Sequence, residues 1–218
     1  MENYYNKEIS EINPINAQDY GYNPEGAIVK NREDLRKIIE EPCLPACLKL
    51  YDLNIQTVNS SANNGNIGDK AYIGINYDSL DENNKNILNN LINTGIVEPL
   101  NLSDDPNDRG GRDVTIKVPI YEKDTVGKVS DRFMQIVSRF EQQDVLYGRY
   151  THEDVLKEAS SIGSDVSLED IVEAYGFIYD DELKIYWHNR ELYNKHKQYQ
   201  NKQINQAKET RKHDYQGE

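Results

Sequence analysis

Between Ala71 and Tyr77 the chain alternates. Ala71, Ile73, Ile75 and Tyr77 fall on one side of an extended segment, and Tyr72, Gly74 and Asn76 on the other. A period of two with one apolar face is the signature of a half-buried strand. Upstream, Ile55 and Thr57 share one face, and Gln56 and Val58 the other. The two segments are separated by a run rich in Asn63, Asn64, Gly65, Asn66 and Gly68, residue types that tolerate positive φ. The run is longer than a two-residue hairpin needs, so a loose loop is expected. The stretch Asn54–Asp78 therefore reads as a strand, a polar turn and a second strand, and the first domain is organised around it.

Residues 1–30 lack a steady period and are punctuated by Pro14, Gly21, Pro24 and Gly26. They read as an irregular arm, whose Tyr4, Tyr5, Tyr20 and Tyr22 lie against the protein's own domain or a partner. Asn31 is placed to cap a helix bearing Leu35, Ile38 and Ile39 on one face. Pro42 interrupts it, and a second helical piece follows with Pro45 in its first turn and Cys47, Leu48 and Tyr51 available for burial. After the hairpin, Ser79 and Glu82 have capping-box spacing before an apolar stripe of Leu80, Ile87, Leu88, Leu91 and Ile92, with Gly95 at the C-terminal stop. Ile96 and Val97 begin a short strand. Residues 101–113 form a polar loop, and Val114, Ile116, Val118 and Ile120 alternate as a strand that Pro119 confines to an edge. The expected first domain, 31–121, is α+β: a small antiparallel sheet with covering helices.

From 122 to 190 the pattern is mostly helical. A stripe of Val129, Phe133, Ile136, Val137 and Phe140 predicts a helix from Thr125 to about Tyr147. Thr151 with Asp154, and Ser167 with Asp170, cap two shorter helices that stop at Gly163 and Gly176. The segment from Phe177 to Asn189 reads as a tight hairpin turning at Asp180–Glu182, with Phe177, Tyr179, Ile185 and Trp187 as candidate buried residues. Helix, helix, helix, hairpin is an element order that resembles a winged helix-turn-helix. The resemblance implies that Ser167–Tyr175 is the recognition helix, yet it carries Glu169, Asp170 and Glu173 and no Lys or Arg. Duplex binding relies on cations neutralising phosphate, so duplex DNA is not the expected partner, and a protein is.

Charge points the same way. The 218 residues carry a net charge of −13, with 38 acids against 25 bases, and the aromatic content is 16 Tyr against 3 Phe and 1 Trp. Tyrosine is at home half-buried with its hydroxyl wet. The basic stretch is the tail, 191–218, expected to be helical and then frayed; after Asn194 cations outnumber anions six to three, and Tyr199 and His196 are interleaved. Such a segment suits single-stranded nucleic acid, although a solvated helix explains it more simply. No apolar run of membrane-spanning length and no signal-peptide pattern occurs. Cys43 and Cys47 do not make a zinc site and read as reduced packing residues of a cytoplasmic protein.

The sequence has no zinc-protease helix, Walker loop, Rossmann fingerprint or nucleophile elbow, and neither a cofactor nor a metal is expected. Asp104, Asp105, Asp108 and Asp113 share one loop but lack the EF-hand pattern, and the Arg109–Arg112 run precedes a strand rather than a phosphate-cradling helix. The candidate contact residues are the hairpin cluster Asn59, Ser60, Ser61, Asn63, Asn64 and Tyr72, and the acidic trio Glu169, Asp170 and Glu173. A serine nucleophile needs a base within hydrogen-bond reach, and none is near the hairpin in sequence. The expected function is a non-enzymatic acidic module that binds a protein with a basic surface, for instance an inhibitor or regulator of a nucleic-acid-binding protein of the kind mobile elements encode. A hydrolase or nuclease using the serine hairpin or the aspartate loop is the alternative, and a transcriptional regulator a minor one.

Overall fold

A computed structural model describes residues 5–15, 32–97, 113–163, 165–188 and 190–214. The chain divides into two compact units, Met1–Gln143 and Asp144–Glu218. Together they hold, among the described residues, seven α-helices and two antiparallel three-stranded sheets, an α+β architecture.

Unit 1 is built on the sheet β1 (Thr57–Ser61), β2 (Lys70–Asn76) and β3 (Asp113–Pro119), in that spatial order. In the central strand β2, Ala71, Ile73 and Ile75 are fully buried and register against Val118, Ile116 and Val114. Pro119 lies at the end of the edge strand β3, opposite Lys70, where a missing N–H is harmless. A bulge at Val58 shifts the β1–β2 register between Thr57 and Asn59.

Helices α1 (Arg32–Ile38) and α2 (Leu44–Asp52) precede the hairpin, and α3 (Glu82–Asn93) follows it. Pro45 occupies the first turn of α2, as expected. Its buried face is Ala46, Cys47 and Leu50, with Leu48 and Tyr51 only half-buried. The start of α3 differs from the expected capping box. The cap is Asp81, whose carboxylate accepts from the Asn84 amide at 2.8 Å. Ser79 is instead buried, donating to the Asn76 carbonyl at 2.7 Å within a short 3-10 turn. Ile96 and Val97 form no strand; Val97 is buried in a turn after α3.

The helix after β3, α4 (Val126–Val137), starts as expected, with Thr125 as its cap, but stops ten residues short of Tyr147. Val126, Val129, Phe133 and Val137 are fully buried in the same core as the β2 isoleucines. The compact unit thus extends past residue 121 to Gln143, because the apolar face of α4 completes this core. Beyond Val137 the burial alternates at Gln143, Val145 and Tyr147, an extended pattern that replaces the helical one.

Of the N-terminal arm, residues 5–15 belong to unit 1. The Ile9 amide donates to the Asp124 carbonyl at 3.1 Å and the Val126 amide to the Lys7 carbonyl at 2.9 Å, and Ile9 and Ile12 are buried in the core. Tyr4, Tyr20, Tyr22, the cap at Asn31 and most of the 101–113 loop, with Asp104, Asp105, Asp108 and Arg109–Arg112, lie outside the described residues.

Unit 2 contains β4 (Arg149–Tyr150), α5 (His152–Ile162), α6 (Leu168–Tyr175), β5 (Ile178–Asp180), β6 (Ile185–Trp187) and α7 (Arg190–Asp214). Both predicted capping boxes are present, at Thr151/Asp154 and Ser167/Asp170. The hairpin β5–β6 gains a third strand: β4 pairs with β6, giving the order β4–β6–β5. Trp187 is fully buried, as expected, whereas Tyr179 is 43% exposed and Tyr186 takes its place inside. Helix α7 is anchored by buried Leu192 and His196, and residues 201–210 are exposed along its distal part. Among the described residues no helix is long and apolar enough to cross a membrane.

Candidate functional site

The polar hairpin of unit 1 spends its side chains on itself. The Ser61 hydroxyl accepts from the Asn63 amide at 2.9 Å, and the Asn63 side chain donates to the Lys70 carbonyl, closing the loop. Asn63, Asn64 and Gly65 all have positive φ, so the Asn/Gly content serves the turn. The Asn59 amide oxygen lies over Gly74, where a Cβ would stand 2.3 Å from it. The Ala62 amide donates to the carboxylate of Glu40, itself only 6% exposed. Ser60 hydrogen-bonds the Cys47 thiol, and burial pushes that thiol up to about 12. Tyr72 is half-buried, its carbonyl accepting from the Cys43 thiol at 3.8 Å. All four histidines fall after residue 150, in unit 2, so unit 1 contains no imidazole to serve as base for Ser60 or Ser61.

In unit 2 the predicted acidic trio separates into two roles. Asp170 is the return arm of the capping box: it accepts from the Ser167 amide at 2.9 Å and the Ser167 hydroxyl at 2.7 Å. Those hydrogen bonds hold its carboxyl below the usual aspartate value. Glu169 and Glu173 are exposed, and among the described residues neither pairs with a cation. They are four residues apart, hence on one stripe of α6, where like charges oppose each other slightly.

From the end of α6 into β5 and β6 runs a chain of aromatic rings, which the sequence reading did not assemble. Tyr175 stacks on Phe177 with centroids 5.8 Å apart, Phe177 lies 6.4 Å from Tyr186, and Tyr186 lies 4.9 Å from Tyr179. Tyr175 is 48% exposed. Burial, with added repulsion from Tyr179 and Glu169, pushes the Tyr186 phenol above its ordinary value. The signal was available as Tyr175, Phe177 and Tyr179 at spacing two across the turn into β5. Periodicity alone does not say whether such a face is buried or displayed.

A comparison with known protein families, with curated proteins and with solved structures finds no match to this chain.

A second polar cluster lies at the root of α7. The Asp144 carboxylate accepts from His196 Nδ1 at 2.8 Å and from the Arg149 guanidinium, which lies 5.0 Å over the Trp187 ring. Asp180, 3% exposed, accepts from the Leu183 amide, the Trp187 indole and Lys197. Burial opposes ionisation there, but these three donors hold the carboxyl below its ordinary value. Together the two carboxylates fasten β6, its turn and α7. A groove of about 440 Å³ opens between that turn and α7, lined in part by Tyr179, Glu182, Tyr193 and Lys197. Among the described residues no three His, Cys, Asp or Glu side chains gather as a metal-binding group.

Proposed function

We propose that the chain is a non-enzymatic, acidic protein-interaction module, and that it docks on a protein with a basic surface. What supports this is the exposed surface of unit 2: among the described residues Glu169 and Glu173 of α6 pair with no cation, and Tyr175 and Tyr179 are exposed. Tyrosine is among the residues that dominate binding energy at interfaces, and complementary charge speeds encounter and selects the partner. The net charge of −13 steers the whole molecule toward basic surfaces. Proteins that handle nucleic acids carry such surfaces, so a regulator or inhibitor of one of them, working in the cytoplasm, is the concrete form of this reading. A winged-helix-like unit with an acid-bearing α6 fits protein docking better than a DNA groove. The hydrolase reading has less support, because Ser60 and Ser61 are engaged with Cys47 and Asn63.

The test is capture on immobilised full-length chain across a salt series, alongside a Glu169→Gln/Glu173→Gln variant. A basic partner retained at low salt, released at high salt and lost from the variant is the expected result. Equal retention by the variant sinks the assignment of this face.

A further inference from the structure

We infer that Asn64 is a site of spontaneous deamidation, and that the contact between the hairpin tip and the Ile9–Glu11 turn holds the reaction back. Asn64–Gly65 is the sole Asn-Gly pair in the chain. In such a pair the glycine amide nitrogen attacks the asparagine Cγ. A new N–C bond forms, the C–N bond of the carboxamide breaks, and ammonia leaves. Water then opens the five-membered imide at either carbonyl, giving aspartate or isoaspartate. Glycine presents its nitrogen with the least hindrance, because no Cβ stands beside it. The reaction consumes nothing but water.

The fold holds both the reactive pair and a lock on it. Asn64 is exposed, so water reaches its carboxamide. Its backbone stands at φ 55° and ψ 20°, which turns the Gly65 nitrogen away from the Asn64 side chain. Ring closure therefore requires the Asn64–Gly65 peptide to rotate. Two contacts oppose that rotation. The Gly65 amide donates to the Ala62 carbonyl at 2.9 Å. Gly65 is also buried so closely under Ile9 that a Cβ would stand 1.9 Å from the Ile9 carbonyl oxygen, and Ile9 is itself seated in the core. The rate at Asn64 is thus the intrinsic rate multiplied by the fraction of time for which tip and turn are parted. Isoaspartate routes the chain through its side chain, one methylene longer, and adds a negative charge. The turn Asn63–Gly65 then no longer fits beneath Ile9, so each conversion is a one-way record that unit 1 has opened here.

The test holds the full chain at pH 8 and 37 °C, native and in guanidinium chloride, and follows each asparagine by peptide mapping and mass spectrometry. In denaturant Asn64 is expected to convert first. In the native chain it should convert about tenfold more slowly or less, since a local opening that costs about 1.4 kcal/mol cuts the open fraction tenfold. Ile9→Ala should speed the native reaction several-fold, in step with amide exchange at Gly65. Lys7→Ala, which unties the same segment from Glu41 without emptying the core, should act in the same direction and more weakly. Asn64→Gln should abolish the signal. No conversion of Asn64 in denaturant, or another asparagine converting ahead of it, overturns the site. A native rate equal to that in denaturant, or one that follows amide exchange in β2 rather than at Gly65, overturns the lock.

Discussion

Gln143 and Asn54 hold each other by their amides: the Asn54 side chain donates to the Gln143 carbonyl at 2.7 Å, and the Gln143 side chain donates to the Asn54 carbonyl at 3.2 Å. Both are buried, and Gln143 also donates to the Ser79 carbonyl at 2.6 Å while accepting from the Asp81 amide at 2.9 Å and the Asn84 side chain at 3.0 Å. One side chain thus satisfies the end of α2, the turn before α3 and the extended segment after α4.

Gln143→Ala should destabilise unit 1 by about 3 kcal/mol, since it leaves two buried carbonyls unpaired. Gln143→Glu, though isosteric, should be at least as harmful, because a carboxylate oxygen would face the Asn54 and Ser79 carbonyls. Amide exchange in β2 measures both. A change under about 0.5 kcal/mol in either contradicts the central role of this side chain.

Gly65 and Gly95 separate backbone strain from steric clash. Both have φ near +70°, at +68° and +73°. A Cβ on Gly65 would stand 1.9 Å from the Ile9 carbonyl oxygen, whereas one on Gly95 meets nothing within 4 Å. Gly95→Ala should cost about 1 kcal/mol, the ordinary left-handed penalty, and Gly65→Ala clearly more. Equal losses would mean that the loop and the N-terminal turn part without resistance.

The two thiols should be silent in the folded protein. Cys43 and Cys47 are both free and fully buried, and burial raises both, Cys47 to about 12. Only the thiolate alkylates, so iodoacetamide at pH 8 should label neither until denaturant is added. Labelling under native conditions at the rate of free cysteine would refute this.

Arg132 holds the Asp124 carboxyl below its ordinary value, against the pull of burial. A folded-state value below the unfolded one means the pair's contribution is complete above the unfolded aspartate value, about pH 4. It is lost as pH falls through the folded value. Asp124→Asn should therefore destabilise unit 1 by about 2 kcal/mol at pH 7, and the gap to the unaltered chain should close in acid. A gap that stays constant down to pH 2 rules the linkage out.

Ser167→Ala removes the α6 cap and should cost about 1 kcal/mol. Asp170→Ala should act in the same direction, and the double change should fall short of the sum because the two groups bond each other. Glu169→Gln should leave stability unchanged. Trp187 fluorescence in urea follows unit 2 alone, since it is the sole tryptophan.

What was legible in the sequence was local. The boxes at Thr151/Asp154 and Ser167/Asp170 are readable because both partners lie within one turn, and the β2 face because alternation is a nearest-neighbour property. Capping-box spacing pointed to Ser79 and missed Asp81, because the burial of Ser79 against Asn76 is not written in that spacing. Phe140 continued the stripe of α4, so the helix seemed to run on, but the Gln143 contacts lie 59 to 89 residues away in sequence and left no local trace. For the site, the charge of Glu169 and Glu173 was visible. The ring chain was not, because it joins residues of α6, β5 and β6.

The tip of the β1–β2 hairpin has the composition of a place where extra chain is spliced in without harm. Its contact with Ile9 makes it a poor one. Residues 63–65 form the floor on which the Ile9–Glu11 turn rests, so a peptide inserted there would lift Ile9 and Ile12 out of the core and unseat the start of the fold. The exposed turn Asp181–Lys184 between β5 and β6 belongs to the second unit, so a reporter placed there leaves the first unit closed, at the cost of the bonds that tie this turn to Asp180 and Lys197.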